Sequence, residues 1–122
     1  MKQLGTLMIA GSSVGVFEGN RSDNANLDGT YAVYLPDDQE IWLFEGLPAH
    51  EKLKNLIHEV LHAIIGCSGA FDVTAAALGL KRDDTRMLDW EESFVRVMTP
   101  HILEVFGPIG TGKKKKKTGK QR

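Results

Sequence analysis

The stretch Asn55-Leu56-Ile57-His58-Glu59-Val60-Leu61-His62-Ala63 decides how the rest of the chain is read. Residues four apart lie on one face of a helix, so His58 and His62 can aim both imidazoles at a single point. Two imidazoles converging in this way suit a Zn²⁺ ion. Glu59, rotated about a quarter turn from His58, can reach a water on the open side of such a metal without ligating it. His58 and His62 are therefore expected as metal ligands and Glu59 as a general base.

The surrounding residues support a helix. From Pro48 to Ile65 the apolar residues Leu53, Leu56, Ile57, Val60, Leu61 and Ile64 recur at three- and four-residue steps, the spacing of a buried stripe. Pro48 suits the first turn and Gly66 the C-terminal cap. The two histidines flank the stripe, as ligands set between a core and a cleft would.

Upstream, residues 4–10 and 14–17 around Gly11-Ser12-Ser13 predict two short strands and a tight turn. Glu18 to Gly29, rich in Asn, Asp, Gly and Ser, has no apolar period and predicts a loop. Thr30 to Leu35 and Glu40 to Glu45 are dense in β-branched and aromatic residues and bracket Pro36-Asp37-Asp38-Gln39, predicting a hairpin. Its second strand, Ile41-Trp42-Leu43-Phe44, leads straight to the motif helix, where an exposed strand could pair with an extended peptide. Downstream, Asp72 is expected to cap a short helix through Leu80 with Val73, Ala76, Ala77 and Leu80 on its apolar side. Lys81 to Arg86 predicts a charged loop, and a last helix is expected from near Asp89, carrying Trp90, Phe94, Val95, Val97 and Met98. Thr99-Pro100 should kink or restart it, and Gly107-Pro108 should stop it. The expected fold class is α+β: a small antiparallel sheet packed on the motif helix and a C-terminal helix.

With 122 residues the chain predicts one small domain, residues 1–107, followed by a basic tail at 108–122. Of 15 basic residues, seven lie at 113–122, so residues 1–112 carry eight basic against 16 acidic residues, a net of −8 beside a tail of +7. Five consecutive lysines and almost no apolar content predict a disordered tail, a solubilising extension or an arm for nucleic acid or another polyanion. The single cysteine, Cys67, excludes an internal disulfide and a Cys-rich zinc site. The apolar run Leu4 to Ala10 is interrupted by Gly5 and Thr6 and is too short for an export signal. No stretch approaches the length of a membrane span, and a reducing, cytoplasmic location is the expectation.

A catalytic zinc usually takes three protein ligands, so one remains to be found. The candidates are Glu91, Glu92, His101, Cys67 and the aspartates of residues 83–89. A carboxylate on a second helix is the economical choice, and helical phase does not separate Glu91 from Glu92. Asp89-Trp90-Glu91-Glu92 also fits a capping box in which Glu92 folds back on the Asp89 amide. His50 reads as a solvated first-turn residue and His101 as a surface histidine.

The strand hairpin, the helix with His58-Glu59-x-x-His62, and a later helix running Glu91-Glu92-Ser93-Phe94-Val95 to Met98-Thr99-Pro100 together resemble the ImmA/IrrE-type minimal zinc metallopeptidases, including short phage-encoded versions. The resemblance spans about residues 30–106. It implies a minimal zincin-like fold, zinc bound by His58, His62 and Glu92, Glu59 as the base, and a protein or peptide substrate. The chain departs from the family pattern in carrying Val95-Arg96 where Ala-Asn or Ala-Asp is usual, and in lacking a glycine before the second histidine. It has no recognisable helix-turn-helix. Two other readings compete: a zinc-stabilised domain that binds a partner without chemistry, and a polyanion-binding protein acting through residues 113–122. His101, Tyr31 and Tyr34 are candidates for stabilising an oxyanion.

Overall fold

A computed structural model describes residues 1–110 of the chain, and the side chains of residues 1–105. Four strands, β1 (Lys2–Ile9), β2 (Ser12–Gly19), β3 (Ala32–Leu35) and β4 (Glu40–Phe44), form one sheet in the order β1-β2-β4-β3. Three α-helices follow: α1 (Ala49–Cys67), α2 (Ala70–Leu78) and α3 (Thr85–Gly110). The α+β class is as expected, but the sheet is mixed rather than antiparallel. β2 pairs with β4 in parallel, Val16 opposite Ile41 and Phe17 opposite Trp42. The chain between β2 and β3 passes the central slot, so β3 takes the far edge and β4 turns back to fill the middle. That connection, expected to bury nothing, holds a short 3₁₀ turn at Ala25–Leu27 and plants Leu27 in the interior with 1% of its surface exposed.

The β1–β2 turn lies at Ala10-Gly11, whose φ angles of 50° and 83° give the primed geometry that matches the twist of a hairpin. The strands accordingly run longer than 4–10 and 14–17 suggested. The 36–39 connection between β3 and β4 falls where expected.

α1 has two apolar faces, not one. Leu56, Val60, Ala63 and Cys67 pack on the sheet core of Val14, Val16, Ile41 and Leu43, while Ile57, Leu61 and Ile65 pack on α3 around Val95. Ile64, expected in the stripe, falls between the two and stays 42% exposed. At 3.6 residues per turn the remaining sector holds Asn55, His58, Glu59, His62 and Gly66. His58 lies on its α3 side and Glu59 on its sheet side. The site is thus the wedge left where a helix is clamped between a sheet and another helix.

α1 also runs through Gly66 to Cys67, and the left-handed residue that ends the segment is Gly69, φ 81°. α2 starts at Ala70, with Asp72 in its first turn and not at its cap. Its buried side is Ala75 and Phe71, which leaves Val73 70% exposed and Ala76 and Ala77 on the surface. α3 begins four residues before Asp89, because the Asp84 carboxylate accepts from the Arg86 backbone N–H at 2.9 Å and caps it there. Met87, assigned to neither element by pattern, is fully buried. The helix continues through Pro100 and Gly107-Pro108 to Gly110. Burial of Val95, with Met98 and Ile102 packed beside it against α1, outweighs the proline penalty of about 3 kcal/mol. Phe94 and Val97, apolar residues of the same helix, are 41% and 61% exposed. α3 thus extends to Gly110, and the basic run 113–122 lies outside the described residues. No single helix among the described residues is long and apolar enough to cross a membrane.

Candidate metal centre

The α1–α3 packing brings the expected ligands together. Val95, with no exposed surface, is locked against Leu61 and Ile65. One turn earlier on α3, Glu91 and Glu92 are carried to the two histidines. Nitrogens of His58 and His62 and a carboxylate oxygen of Glu92 all lie within 4.8 Å of one another, a group that could hold a metal ion. His58 Nε2 is 3.6 Å from Glu92 Oε2, and His62 Nε2 is 3.2 Å from Glu92 Oε1. Arg96 Nε donates to Glu92 Oε2 at 2.8 Å and fixes the carboxylate from outside.

Glu91 and Glu92, inseparable by helical phase, have different places. Glu91 Oε2 sits 2.5 Å from Nδ1 of His62, on the side of the ring away from Glu92. A carboxylate there accepts a hydrogen bond from Nδ1–H, which keeps the proton on Nδ1 and leaves the Nε2 lone pair free for a metal. The capping-box alternative is removed by the position of Asp89, inside α3 and not at its start. His50 and His101 are exposed surface residues outside the cluster.

The local electrostatics follow from this arrangement. Burial, with the neighbouring His62, lowers the His58 pKa and keeps that ring neutral. Burial also pulls on His62, but the Glu91 hydrogen bond and the charges of Glu59, Glu91 and Glu92 outweigh it and raise its pKa. Arg96 holds the Glu92 carboxyl below its ordinary range. The donor set, two imidazoles and an ionised carboxylate converging from two rigid helices, fits a divalent cation that accepts nitrogen and oxygen.

Glu59 faces elsewhere. It lines a groove of about 560 Å³ with His62, Gly66, Phe71 and β3 residues Ala32 to Tyr34. Burial raises its pKa to about 6, opposed by His62 and by a hydrogen bond from the Tyr34 backbone N–H. The strand beside it is the edge strand β3. β4, whose Ile41-Trp42-Leu43-Phe44 was the expected partner for a peptide, is paired on both sides.

Of the oxyanion candidates, Tyr34 is engaged elsewhere: its hydroxyl accepts from Gln39 Nε2 at 3.2 Å and lies 3.6 Å from Cys67 Sγ. Burial and that thiol push its pKa up to about 12. Cys67 in turn donates to Gln39 Oε1 at 3.4 Å, closing a small polar triangle with Tyr34, and it lies outside the His58, His62 and Glu92 cluster. Tyr31 is 58% exposed at the mouth of a neighbouring hollow. Comparison of the chain with protein-family models, with curated proteins and with solved structures finds no match.

Proposed function

We propose that the protein is a zinc-dependent metallopeptidase that hydrolyses a peptide bond of a protein substrate, with His58, His62 and Glu92 as metal ligands and Glu59 as general base. The observation that carries this reading is the division of labour among the carboxylates: Glu92 beside both histidines, Glu91 behind His62, and Glu59 turned into the open groove. A structural zinc site would close all four positions with protein ligands, whereas three ligands and an open side belong to a catalytic one. The likeness of the HExxH helix and the Glu-bearing helix to the ImmA/IrrE-type peptidases points the same way, and a zincin-like arrangement of the domain is part of the proposal.

A zinc ion held there would supply Lewis acidity, acidifying a water and polarising the peptide carbonyl. Glu59, which faces the open groove, would serve as the base that accepts a proton from the attacking water and returns it to the leaving amine. In the metal-free protein burial raises its pKa to about 6. Glu91 holds the His62 ring so that Nε2 stays aimed at the metal. β3, as the edge strand beside Glu59, offers backbone groups to an extended substrate.

The test is zinc content and peptide hydrolysis for the wild type and Glu59→Gln, which removes the base and keeps the ligands. Stoichiometric zinc in both, with hydrolysis lower in the variant by a factor on the order of 10²–10⁴, is the expected result. Equal hydrolysis by the two, or zinc bound with no hydrolysis by either, would overturn the catalytic reading and leave a zinc-stabilised binding domain.

A further inference from the structure

Two hollows lie end to end along the seam between α1 and β3. The groove with Glu59 takes residues 32–36 from the strand side and 59–66 from the helix. The other, about 790 Å³, takes Thr30 and Tyr31 from the chain entering β3 and Asn55 from α1. Residue numbers rise together along both elements, so the second hollow continues the first. Asn55 precedes Glu59 by one helical turn, about 6 Å. An extended peptide advances about 3.3 Å per residue, so that offset corresponds to two residues of substrate.

The chemistry of this hollow is selective. Its floor is Leu27, with 1% exposure, and Phe44, with the Tyr31 ring beside them. Four of the polar side chains around it are already engaged. Arg21 pairs with Asp28 at 3.1 Å, and Asn20 Nδ2 donates to Glu45 at 3.0 Å. Asn55 Nδ2 donates to the Glu51 carbonyl at 2.8 Å, and the Thr30 hydroxyl donates to the Ala32 carbonyl at 3.1 Å. A charged side chain entering here would give up water for groups whose partners are taken, whereas an apolar one gains burial against Leu27 and Phe44.

We propose that this hollow is the specificity pocket of the peptidase, taking a large apolar side chain, aromatic or long aliphatic, from a substrate residue within two positions of the bond held over Glu59. The proposal rests on the peptidase reading above and adds the substrate class.

The experiment digests a mixed peptide library with the full-length, zinc-loaded protein and maps the cleaved bonds by mass spectrometry. Phe, Tyr, Trp, Leu or Met should be enriched at one fixed position within two residues of the bond, with charged residues depleted there. Asn55→Phe, which fills the mouth of the hollow, should lower the preference for a Phe-bearing over a matched Gly-bearing peptide by tenfold or more, the range a hydrophobic pocket commands. If Asn55→Phe does not fold, Tyr31→Ala tests the same pocket at an exposed position and should also erode the ratio. Cleavage without positional preference, a preference for charged residues there, or an unchanged ratio in a folded variant would overturn the proposal. Binding of N-acetyl-phenylalaninamide to zinc-loaded Glu59→Gln, followed by NMR at Asn55, Thr30 and Phe44, separates the two readings. Binding there with no peptide cleaved by the wild type retains the apolar pocket and discards the peptidase; cleavage without binding does the reverse.

Discussion

Glu91 and Glu92, adjacent on α3, grip opposite nitrogens of one ring: Glu91 Oε2 lies 2.5 Å from His62 Nδ1 and Glu92 Oε1 3.2 Å from His62 Nε2. A helix turns about 100° per residue, so neighbours on α3 diverge enough to straddle an imidazole presented edge-on by α1. The two carboxylates therefore have separable effects on metal affinity. Glu92→Ala removes a ligand and should abolish stoichiometric zinc binding. Glu91→Gln leaves the ligand set intact but loosens the ring, and should weaken zinc by roughly 10–100-fold. Competition titration against a chromogenic chelator reads both; the opposite ranking would exchange the two roles.

Glu59 makes the metal-free protein sensitive to pH. Its folded pKa is about 6 against an ordinary 4.5, so the folded state holds this proton more tightly than the unfolded chain does. Its favourable contribution is complete below pH 4.5 and disappears as pH rises through 6. Above that, a shift of roughly 1.5 units corresponds to a penalty of about 2 kcal/mol for keeping a buried carboxylate ionised. Metal-free Glu59→Gln should therefore be more stable than metal-free wild type at pH 7 by about 1–2 kcal/mol, and indistinguishable from it at pH 4. Urea unfolding at the two pH values measures this, and an advantage of equal size at both would assign it to something other than the charge.

The parts of this site that were legible in the sequence are those set by one helix. Spacing alone aligned His58 with His62 and turned Glu59 aside, and the apolar steps around them located α1. What depends on pairing between distant segments was not legible. The β3–β4 hairpin is local and emerged from its turn residues, but the parallel β2–β4 pairing depends on how the 20–31 segment crosses the sheet, with Leu27 as its only buried hydrophobic. That crossing puts β3 at an edge of the sheet beside Glu59, so the strand that borders the groove could not be chosen from local pattern. Glu91 and Glu92 share Val95 as an anchor, and it is the positions of the His58 and His62 rings that distinguish them. The start of α3 was missed because Asp84, not Asp89, caps it, a signal present in the sequence but masked by the charges of 81–86.

Val95 holds the candidate metal centre together mechanically. It is fully buried between Leu61 and Ile65, one turn from both glutamates. Val95→Ala removes two buried methyl groups and should cost about 2 kcal/mol of stability. Because the same contact sets the α1–α3 spacing, zinc affinity should fall with it, although no ligand changes. Thermal unfolding of the metal-free variant and chelator competition on the folded protein would show the two effects. Loss of stability with unchanged zinc affinity would mean that α3 is positioned by other contacts.

Two glycines three residues apart should respond oppositely to alanine, because α1 ends between them. Gly66 lies inside the helix, and a Cβ there would meet only the Tyr34 hydroxyl, at 4.0 Å, an ordinary contact. Gly66→Ala should thus stabilise the protein by about 0.5–1 kcal/mol through reduced chain entropy and better helix propensity. Gly69, at φ 81°, holds the left-handed conformation between α1 and α2. Gly69→Ala should cost about 1–2 kcal/mol, although nothing lies within 4 Å of its added carbon. Chemical unfolding of both variants compares them directly. A destabilising Gly66→Ala with a neutral Gly69→Ala would put the end of the helix at Gly66, one turn from His62, and shorten the segment that carries the metal ligands.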